Sequence, residues 1–434
     1  MKIYKIIIIL MISSFSFILI DYNLFTYLLS LIWYIVTLLI IYAALKFSKK
    51  FKFIQFNLKE MKNSFKAKTS NKVSPLSSLN ISLAAKIGVG SLSGVALCLY
   101  YGGIESIFWL SVFSIFISIN TYVECLLGFE CREEKDGNYL GGPSFYIKKK
   151  LKSKKLSNLY SVLLILTYGI FFLSIQSNTI VNTLSIFKIE NVYIVISLAI
   201  FLLIILIFGF KGILKTNTLL VPLMLIFYFL LGIKVIINCH SQIPIIMKKF
   251  ITSPINYKKM FPAIMIGLQK SVFITESSLG TSAISASTCD SNPKSQALLE
   301  VFGIYIIIFL VCFTTFIIIS TSDYSNINFE NINGIDLLIY AFTYHFGKKG
   351  ILNLSIVTIL FAISTIISSY FFVETNIKNL FNKKTNTFIL KIIFLLIVII
   401  SCFVKANILW NLCDFYMALM VIINISSILK IYRS

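Results

Sequence analysis

Charged residues are scarce in this 434-residue chain and make up 13% of it, whereas about a quarter of a typical soluble domain is charged. Acidic residues are the scarcer kind, with 17 Asp and Glu against 39 Lys and Arg. Hydrophobic residues make up 58% and form unbroken runs, unlike the roughly 10-residue alternating segments of a membrane β-barrel. Such runs predict membrane-spanning helices, because the bilayer interior offers the backbone no water. The predicted class is an all-α polytopic membrane protein.

The residues of metal and nucleophile chemistry are also few. The eight cysteines are scattered and show no C-x-x-C motif, so we predict neither a disulfide framework nor a metal site. The two histidines, His240 and His345, fall in predicted outer loops. This placement disfavours an intramembrane enzyme, which needs a nucleophile and its base at membrane depth. The chain also lacks G-x-x-x-x-G-K-[ST], the nucleotide-binding motif of ATP-driven transport.

Basic residues cluster between the apolar runs. Residues 46–72 hold nine lysines and one glutamate, and residues 148–155 hold six lysines. When alternate loops are assigned to the cytoplasm, most of the basic residues lie on that side, which is the positive-inside pattern. The net charge of +22 is therefore explained by basic loops at the cytoplasmic surface of a lipid bilayer. We predict the bilayer as partner and no binding of nucleic acid. The charge pattern also predicts a cytoplasmic C-terminus.

The apolar runs predict eleven spans. They are residues 24–46, 78–101, 106–129, 157–181, 191–209, 216–238, 261–286, 297–320, 350–373, 387–404 and 408–430. Residues 6–20 form a further apolar stretch that is either a cleaved signal sequence or an additional helix, because no clear cleavage site follows it. The total is therefore eleven or twelve helices. Residues 240–260 and 321–349 are predicted to be outer loops.

Two of these spans carry residues that favour an interrupted helix. Residues 88–94 read GVGSLSG, and residues 275–281 read TESSLGT. Each segment opens a group of five spans, and because five is odd the second group begins from the opposite face. This arrangement is typical of inverted-repeat transporters, whose interrupted helices bind substrate and coupling ion near the midplane. The alternative is close helix packing through small residues.

Several motifs, in order along residues 24–430, resemble the alanine/glycine:cation symporter family (sodium:alanine symporters). Residues 83–96, LAAKIGVGSLSGVA, resemble the family's first broken helix, A-T-V-G-T-G-N-I-A-G-V-A. Residues 141–147, GGPSFYI, resemble its G-G-P-M-Y-Y-I. Residues 273–281, FITESSLGT, resemble F-S-N-E-A-G-x-G-S, and residues 361–366, FAISTI, resemble F-A-F-S-T-I. The shared order and spacing make the resemblance specific.

The resemblance implies a LeuT-type fold of inverted five-helix repeats in a bacterial inner membrane. Residues 1–73 would form one or two peripheral helices and a basic loop, 74–238 the first repeat, and 239–434 an outer loop and the second repeat. It also implies a monomeric symporter, not an enzyme, that imports a small neutral amino acid such as alanine or glycine with Na⁺ and needs no other cofactor. The substrate residues would be Gly88, Val89, Gly90, Ser91, Phe273, Thr275 and Glu276. The cation site or its surrogate would involve Lys86, Ile87, Ser364 and Thr365.

The chain departs from the family pattern at several of these positions. Val89, Ser91 and Thr275 stand where the family has Thr, Asn and Asn. Lys86 replaces a small residue such as Thr, roughly 12 Å into the helix, where a charge costs about 2.5–3.5 kcal/mol. One hypothesis is that its ammonium substitutes for a sodium ion, which would weaken the sodium dependence or permit coupling to H⁺. The alternative is that its flexible stem carries the charge to the cytoplasmic side.

Glu124, Glu276 and Asp414 are carboxylates that fall within predicted spans. Glu276 is expected to hold free amides of the second interrupted helix or to pair with Lys86 or Lys270, since ionisable groups inside a membrane default to function. Glu124 and Asp414 are expected to make local hydrogen bonds. The altered site residues also keep open a non-transporting amino-acid sensor that retains the fold.

Overall fold

The computed structural model describes residues 21–66, 73–135, 137–253, 257–323, 334–381, 387–404 and 406–433. Helices dominate this part of the chain, and its sheet is one antiparallel hairpin of β1 (Glu133–Lys135) and β2 (Asn138–Leu140). Among the described residues, seven helices are long and apolar enough to cross a membrane, and three shorter helices are also apolar. The all-α polytopic prediction is confirmed. Residues 1–20, predicted as a signal or a helix, lie outside the described residues.

The first half of the chain forms nine helices within the described ranges. They are α1 (Tyr22–Lys50), α2 (Leu58–Ser64), α3 (Pro75–Lys86), α4 (Val89–Cys131), α5 (Pro143–Lys150), α6 (Lys154–Leu166), α7 (Leu173–Leu184), α8 (Asn191–Ile207) and α9 (Gly209–Asn238). A wider helical turn over Thr167–Phe172 joins α6 to α7 without a break. Within α4 the backbone bends at Gly103, whose φ of 68° lies in the left-handed region.

The second half contributes nine more helices to the described structure. They are α10 (Ile243–Thr252), α11 (Tyr257–Thr275), α12 (Thr281–Ser287), α13 (Pro293–Ile306), α14 (Phe313–Ser320), α15 (Gly334–Phe346), α16 (Lys348–Leu380), α17 (Thr387–Ser401) and α18 (Ala406–Ile431). Each of the eleven predicted spans coincides with one of these helices, or with two separated by an interruption or a wider turn. The inverted repeat and the domain limits at residues 74 and 239 stay predictions.

Helices α3 and α13 begin with the same local chemistry. Ser74 caps α3 and is followed by Pro75, while Asn292 caps α13 and is followed by Pro293. A polar cap satisfies free amides of the first turn, and proline at the first helical position loses no hydrogen bond there. These starts fix where α3 and α13 enter the bundle, and thus the register of the residues further along each helix.

The two segments predicted as outer loops each contain a helix, which corrects that prediction. Helix α10 lies within 240–260, and α15 lies within 321–349. Their polar residues indicated loops, but each helix buries one apolar side against the bundle, as Ile246 and Phe342 do. His240 is exposed in the turn after α9. His345 lies within α15, and its Nε2 is 2.9 Å from the Ile318 carbonyl oxygen.

Candidate functional site

The first interruption (residues 87–88) separates α3 from α4. Gly88 is extended, with φ −107° and ψ −166°, so the amides that open α4 have no preceding helical turn. The Val89 N–H donates to Gln176 Oε1 at 2.9 Å, and the Ser91 hydroxyl donates to the Gly88 carbonyl oxygen at 2.7 Å. Gln176, which the sequence did not single out, therefore holds the start of α4 from α7.

The second interruption (residues 276–280) separates α11 from α12. Glu276, Ser278 and Gly280 have φ of 52°, 75° and 89°. Left-handed conformations at non-glycine residues cost of order 1–3 kcal/mol and persist where the surroundings enforce them. The Thr281 hydroxyl donates to Glu276 Oε2 at 2.7 Å, and the Ser277 N–H donates to Thr275 Oγ1 at 3.3 Å. The predicted interruptions are thus present, and Thr275 and Glu276 lie at the second.

The two interrupted helices meet where Gly90 faces Phe273. A Cβ added at Gly90 would lie 2.5 Å from Phe273 Cε1, which is far inside van der Waals contact. The Phe273 ring is 1% exposed and packs against the rings of Phe172 and Trp410, with centroid distances of 5.4 and 5.0 Å. An aromatic wall therefore covers the first turn of α4, and glycine is the residue that fits beneath it.

Helix α16 carries the two hydroxyl residues predicted for the cation site, and one of them lies at the first interruption. The Thr365 hydroxyl donates to the Ala84 carbonyl oxygen at 2.8 Å, and a Cβ added at Gly88 would lie 2.5 Å from Thr365 Oγ1. The Ser364 hydroxyl instead donates to the Phe361 carbonyl oxygen in its own helix at 2.9 Å. Hydroxyl and carbonyl oxygens of this kind suit a hard cation.

Lys86 closes α3 with a buried ion pair. Its Nζ lies 3.4 Å from Glu300 Oε2 on α13, and both side chains are 0% exposed. The alternative in which Lys86 reaches the cytoplasmic side is therefore wrong, because a buried carboxylate holds the ammonium inside the bundle. Lys270 pairs with Asp414 at 3.6 Å, so the described structure pairs neither lysine with Glu276.

Glu124 and Asp414 each accept a hydrogen bond, but the donor lies on another helix and not near in sequence as expected. The Asn424 side-chain amide donates to Glu124 Oε1 at 2.6 Å, and the Gln269 side-chain amide donates to Asp414 Oδ2 at 2.9 Å. Asn424 and Gln269 were not singled out in the sequence, because neither position carries a recognisable spacing.

An ion pair lies next to the aromatic wall. The Lys270 Nζ is 5.5 Å from the ring centroid of Phe273 and 5.4 Å from that of Trp410. Cations at this distance from an aromatic face are attracted by the ring quadrupole. Asp414 contacts the same ammonium at 3.6 Å, so this pair ties α11 to α18 beside Phe273.

A family model and several related proteins indicate the same family for this chain. The model of the sodium:alanine symporter family matches residues 19–434. An uncharacterized transporter of Haemophilus influenzae is 31% identical over 83% of this chain and 77% of its own. The probable sodium/glutamine symporter GlnT of Bacillus subtilis is 29% identical, with 88% and 82% of the two chains covered. The sodium/alanine symporter AgcS of Methanococcus maripaludis is 27% identical, with 82% and 81% covered.

Proposed function

Because the chain belongs to the sodium:alanine symporter family, we propose that it imports a small neutral amino acid, such as alanine or glycine, together with Na⁺. At the coarser level, the family makes it a multi-pass membrane transporter of the cation-coupled amino-acid class and not an enzyme. The observation that carries the finer proposal is the meeting of the two interrupted helices at Gly90 and Phe273.

The helix ends at this meeting point match the two charged groups of an amino acid. Helix α4 begins beside Gly90, and although the Val89 N–H is bonded to Gln176, the positive end of the helix dipole attracts a carboxylate there. Helix α11 ends at Thr275, where the negative end of the dipole and the Glu276 carboxylate suit an ammonium. Phe273 lies against Gly90 with almost no gap, which favours a substrate whose own side chain is small.

The proposed coupling-ion site lies beside the first interruption. Thr365 Oγ1 and the Ala84 carbonyl oxygen are already adjacent, and the C-terminal end of α3, with Ile87, presents further carbonyl oxygens to a cation. Since Glu300 holds the Lys86 ammonium, we expect Lys86 to neutralise that carboxylate and not to replace the sodium ion. Coupling to H⁺ is the alternative.

Uptake in liposomes tests the proposal. We expect purified wild-type protein to accumulate radiolabelled alanine or glycine under an inward Na⁺ gradient and to stop when choline replaces Na⁺. Uptake that persists in choline and follows a pH gradient would favour H⁺. If uptake by the wild-type protein does not depend on sodium but uptake by Lys86→Thr does, the Lys86 ammonium substitutes for the sodium ion.

A panel of amino acids added during thermal unfolding separates a transporter from a sensor. Stabilisation by alanine or glycine together with liposome uptake supports the symporter. Stabilisation without uptake supports a non-transporting sensor, because a ligand that binds the folded state raises its stability whether or not it is carried across. Stabilisation by none of the panel contradicts both.

We further propose that the chain acts as a monomer in a bacterial inner membrane, with its C-terminus in the cytoplasm. The positive-inside rule supports this orientation. His240 after α9 and Arg433 after α18 are both exposed. In a Cys239→Ser background, we expect a membrane-impermeant maleimide to label His240→Cys in intact cells and Arg433→Cys only after permeabilisation. The reverse order of labelling would invert the orientation.

A further inference from the structure

A second group of buried oxygen atoms lies on α4, facing the second interruption. Asn120 and Glu124 are both fully buried, and side chains four residues apart lie on the same face of a helix. The Asn120 side-chain amide donates to Ser278 Oγ at 3.0 Å. This face of α4 is therefore held against the strained backbone of residues 276–280.

Asn424 of α18 fixes the orientation of the Glu124 carboxylate. Its Nδ2 donates to Glu124 Oε1 at 2.6 Å and to the Ser278 carbonyl oxygen at 2.9 Å. The Tyr146 hydroxyl donates to Asn424 Oδ1, so the amide nitrogen of Asn424 is kept toward Glu124. The Gly280 backbone N–H is also directed at this carboxylate.

Two oxygen atoms on this face make no hydrogen bond within the described structure. They are Asn120 Oδ1 and Glu124 Oε2, each with essentially no solvent-accessible area. Leaving such a group buried and unsatisfied costs about 1–3 kcal/mol, and more when it is charged. Native proteins rarely leave buried polar groups unpaired. The ionised carboxylate oxygen and the amide oxygen both accept, so they are satisfied by a cation, by a donor, or by a proton on Glu124 itself.

The balance of charge favours a cation. Three buried carboxylates, those of Glu124, Glu276 and Glu300, lie within electrostatic reach of the Lys86 ammonium. That ammonium makes its ion pair with Glu300. Under the proposed function the substrate ammonium offsets Glu276, which leaves one negative charge at Glu124. One carboxylate on the same face of α4 as a neutral amide oxygen balances the charge of a monovalent ion.

We propose that Asn120 Oδ1 and Glu124 Oε2 bind a sodium ion at the second interruption, separate from the site beside Thr365. This inference rests on the proposed function, since the substrate is assigned the charge of Glu276. The ion would join α4 to the turn that separates α11 from α12. Both side-chain ligands lie on α4, in a part of that helix that contains neither interruption.

Direct binding of ²²Na⁺ to the purified full-length protein tests the site. We expect Glu124→Gln to weaken sodium binding at one site by at least about tenfold, the scale of losing a group that orients or supplies a metal ligand. The side-chain amide introduced by this substitution keeps an acceptor for Asn424 and gains a donor for Asn120, so the variant is expected to fold. Its melting temperature should no longer rise when NaCl replaces choline chloride.

Two further variants make the test specific. Asn120→Ala removes the second oxygen while keeping the Glu124 charge, and should also weaken sodium binding. Glu374→Gln is the matched control, because Glu374 lies on α16 and pairs with Lys378 away from this group. Wild-type sodium affinity in both Glu124→Gln and Asn120→Ala would overturn the proposal.

The binding assay also separates this inference from the transport proposal. If Glu124→Gln binds sodium as tightly as wild type and alanine uptake depends on sodium, the second sodium site is wrong and the symporter function is supported. If Glu124→Gln loses sodium binding but the wild-type protein transports no amino acid, the sodium site is supported and the proposed transport function is wrong. Uptake that depends on Glu124 while sodium binding does not would assign a proton to the carboxylate and overturn the sodium site.

Discussion

Replacing Lys86 by methionine is expected to lower the stability of the protein by about 3–5 kcal/mol, the usual cost of breaking a buried ion pair by removing one partner. The buried Glu300 carboxylate would lose its counter-charge and would have to take up a proton or stay uncompensated, and its other oxygen already lacks a hydrogen-bond partner in the described structure. Methionine preserves the length and apolar stem of lysine, so the loss reports the charge. Thermal unfolding of the detergent-purified variant measures it.

Restoring neutrality should recover most of this loss. The double variant Lys86→Met/Glu300→Gln leaves no unpaired charge, and we expect its melting temperature to exceed those of both single variants. Exposed Lys248 of α10 provides the matched control, Lys248→Met, which should unfold like wild type. A Lys86→Met protein that is as stable as this control would show that the ion pair contributes little.

Replacing Gly90 by alanine is expected to reduce amino-acid uptake by about a hundredfold, the effect that a displacement of about 1 Å has on a positioned site. The new Cβ would meet Phe273 Cε1 at 2.5 Å. The ring is buried, and the rings of Phe172 and Trp410 pack against it and restrict its movement. The two interrupted helices would be forced apart at the point where we place the substrate. Uptake and melting temperature should be measured together.

The same helix contains a control for this change. A Cβ added at Gly94 would lie 3.6 Å from Ile274 Cγ1, an ordinary contact, so Gly94→Ala should transport nearly as well as wild type. Adding Phe273→Leu to Gly90→Ala should recover part of the lost uptake by removing the ring that the methyl meets. Equal uptake by Gly90→Ala and Gly94→Ala would remove the contact between Gly90 and Phe273 from the mechanism.

Much of the helical architecture could be predicted because it is local. Apolar length predicted the spans, and glycine with small hydroxyl residues predicted both interruptions. The prediction was wrong for α10 and α15. Short helices that bury one side have too few apolar residues for a span, and their polar side resembles a loop.

The partners of the site residues could not be predicted, because they are distant in sequence. Lys86 and Glu300 are 214 residues apart, and Val89 and Gln176 are 87 apart. The cost of burying the Lys86 charge in a membrane helix indicated that another group must compensate it. It did not indicate which acidic residue would do so. That choice depends on the packing of α3 against α13, which a single sequence does not encode in any local pattern.

The Lys86–Glu300 pair also restricts how this chain can evolve. A lineage that loses either residue first passes through a protein with an uncompensated buried charge, at a cost near the whole stability of a marginal fold. Exchange between the charged pair and two neutral residues is therefore expected to be rare, and to involve both positions within a short interval. Among related sequences, lysine at the position of Lys86 should occur together with an acidic residue at the position of Glu300, and the two should disappear together.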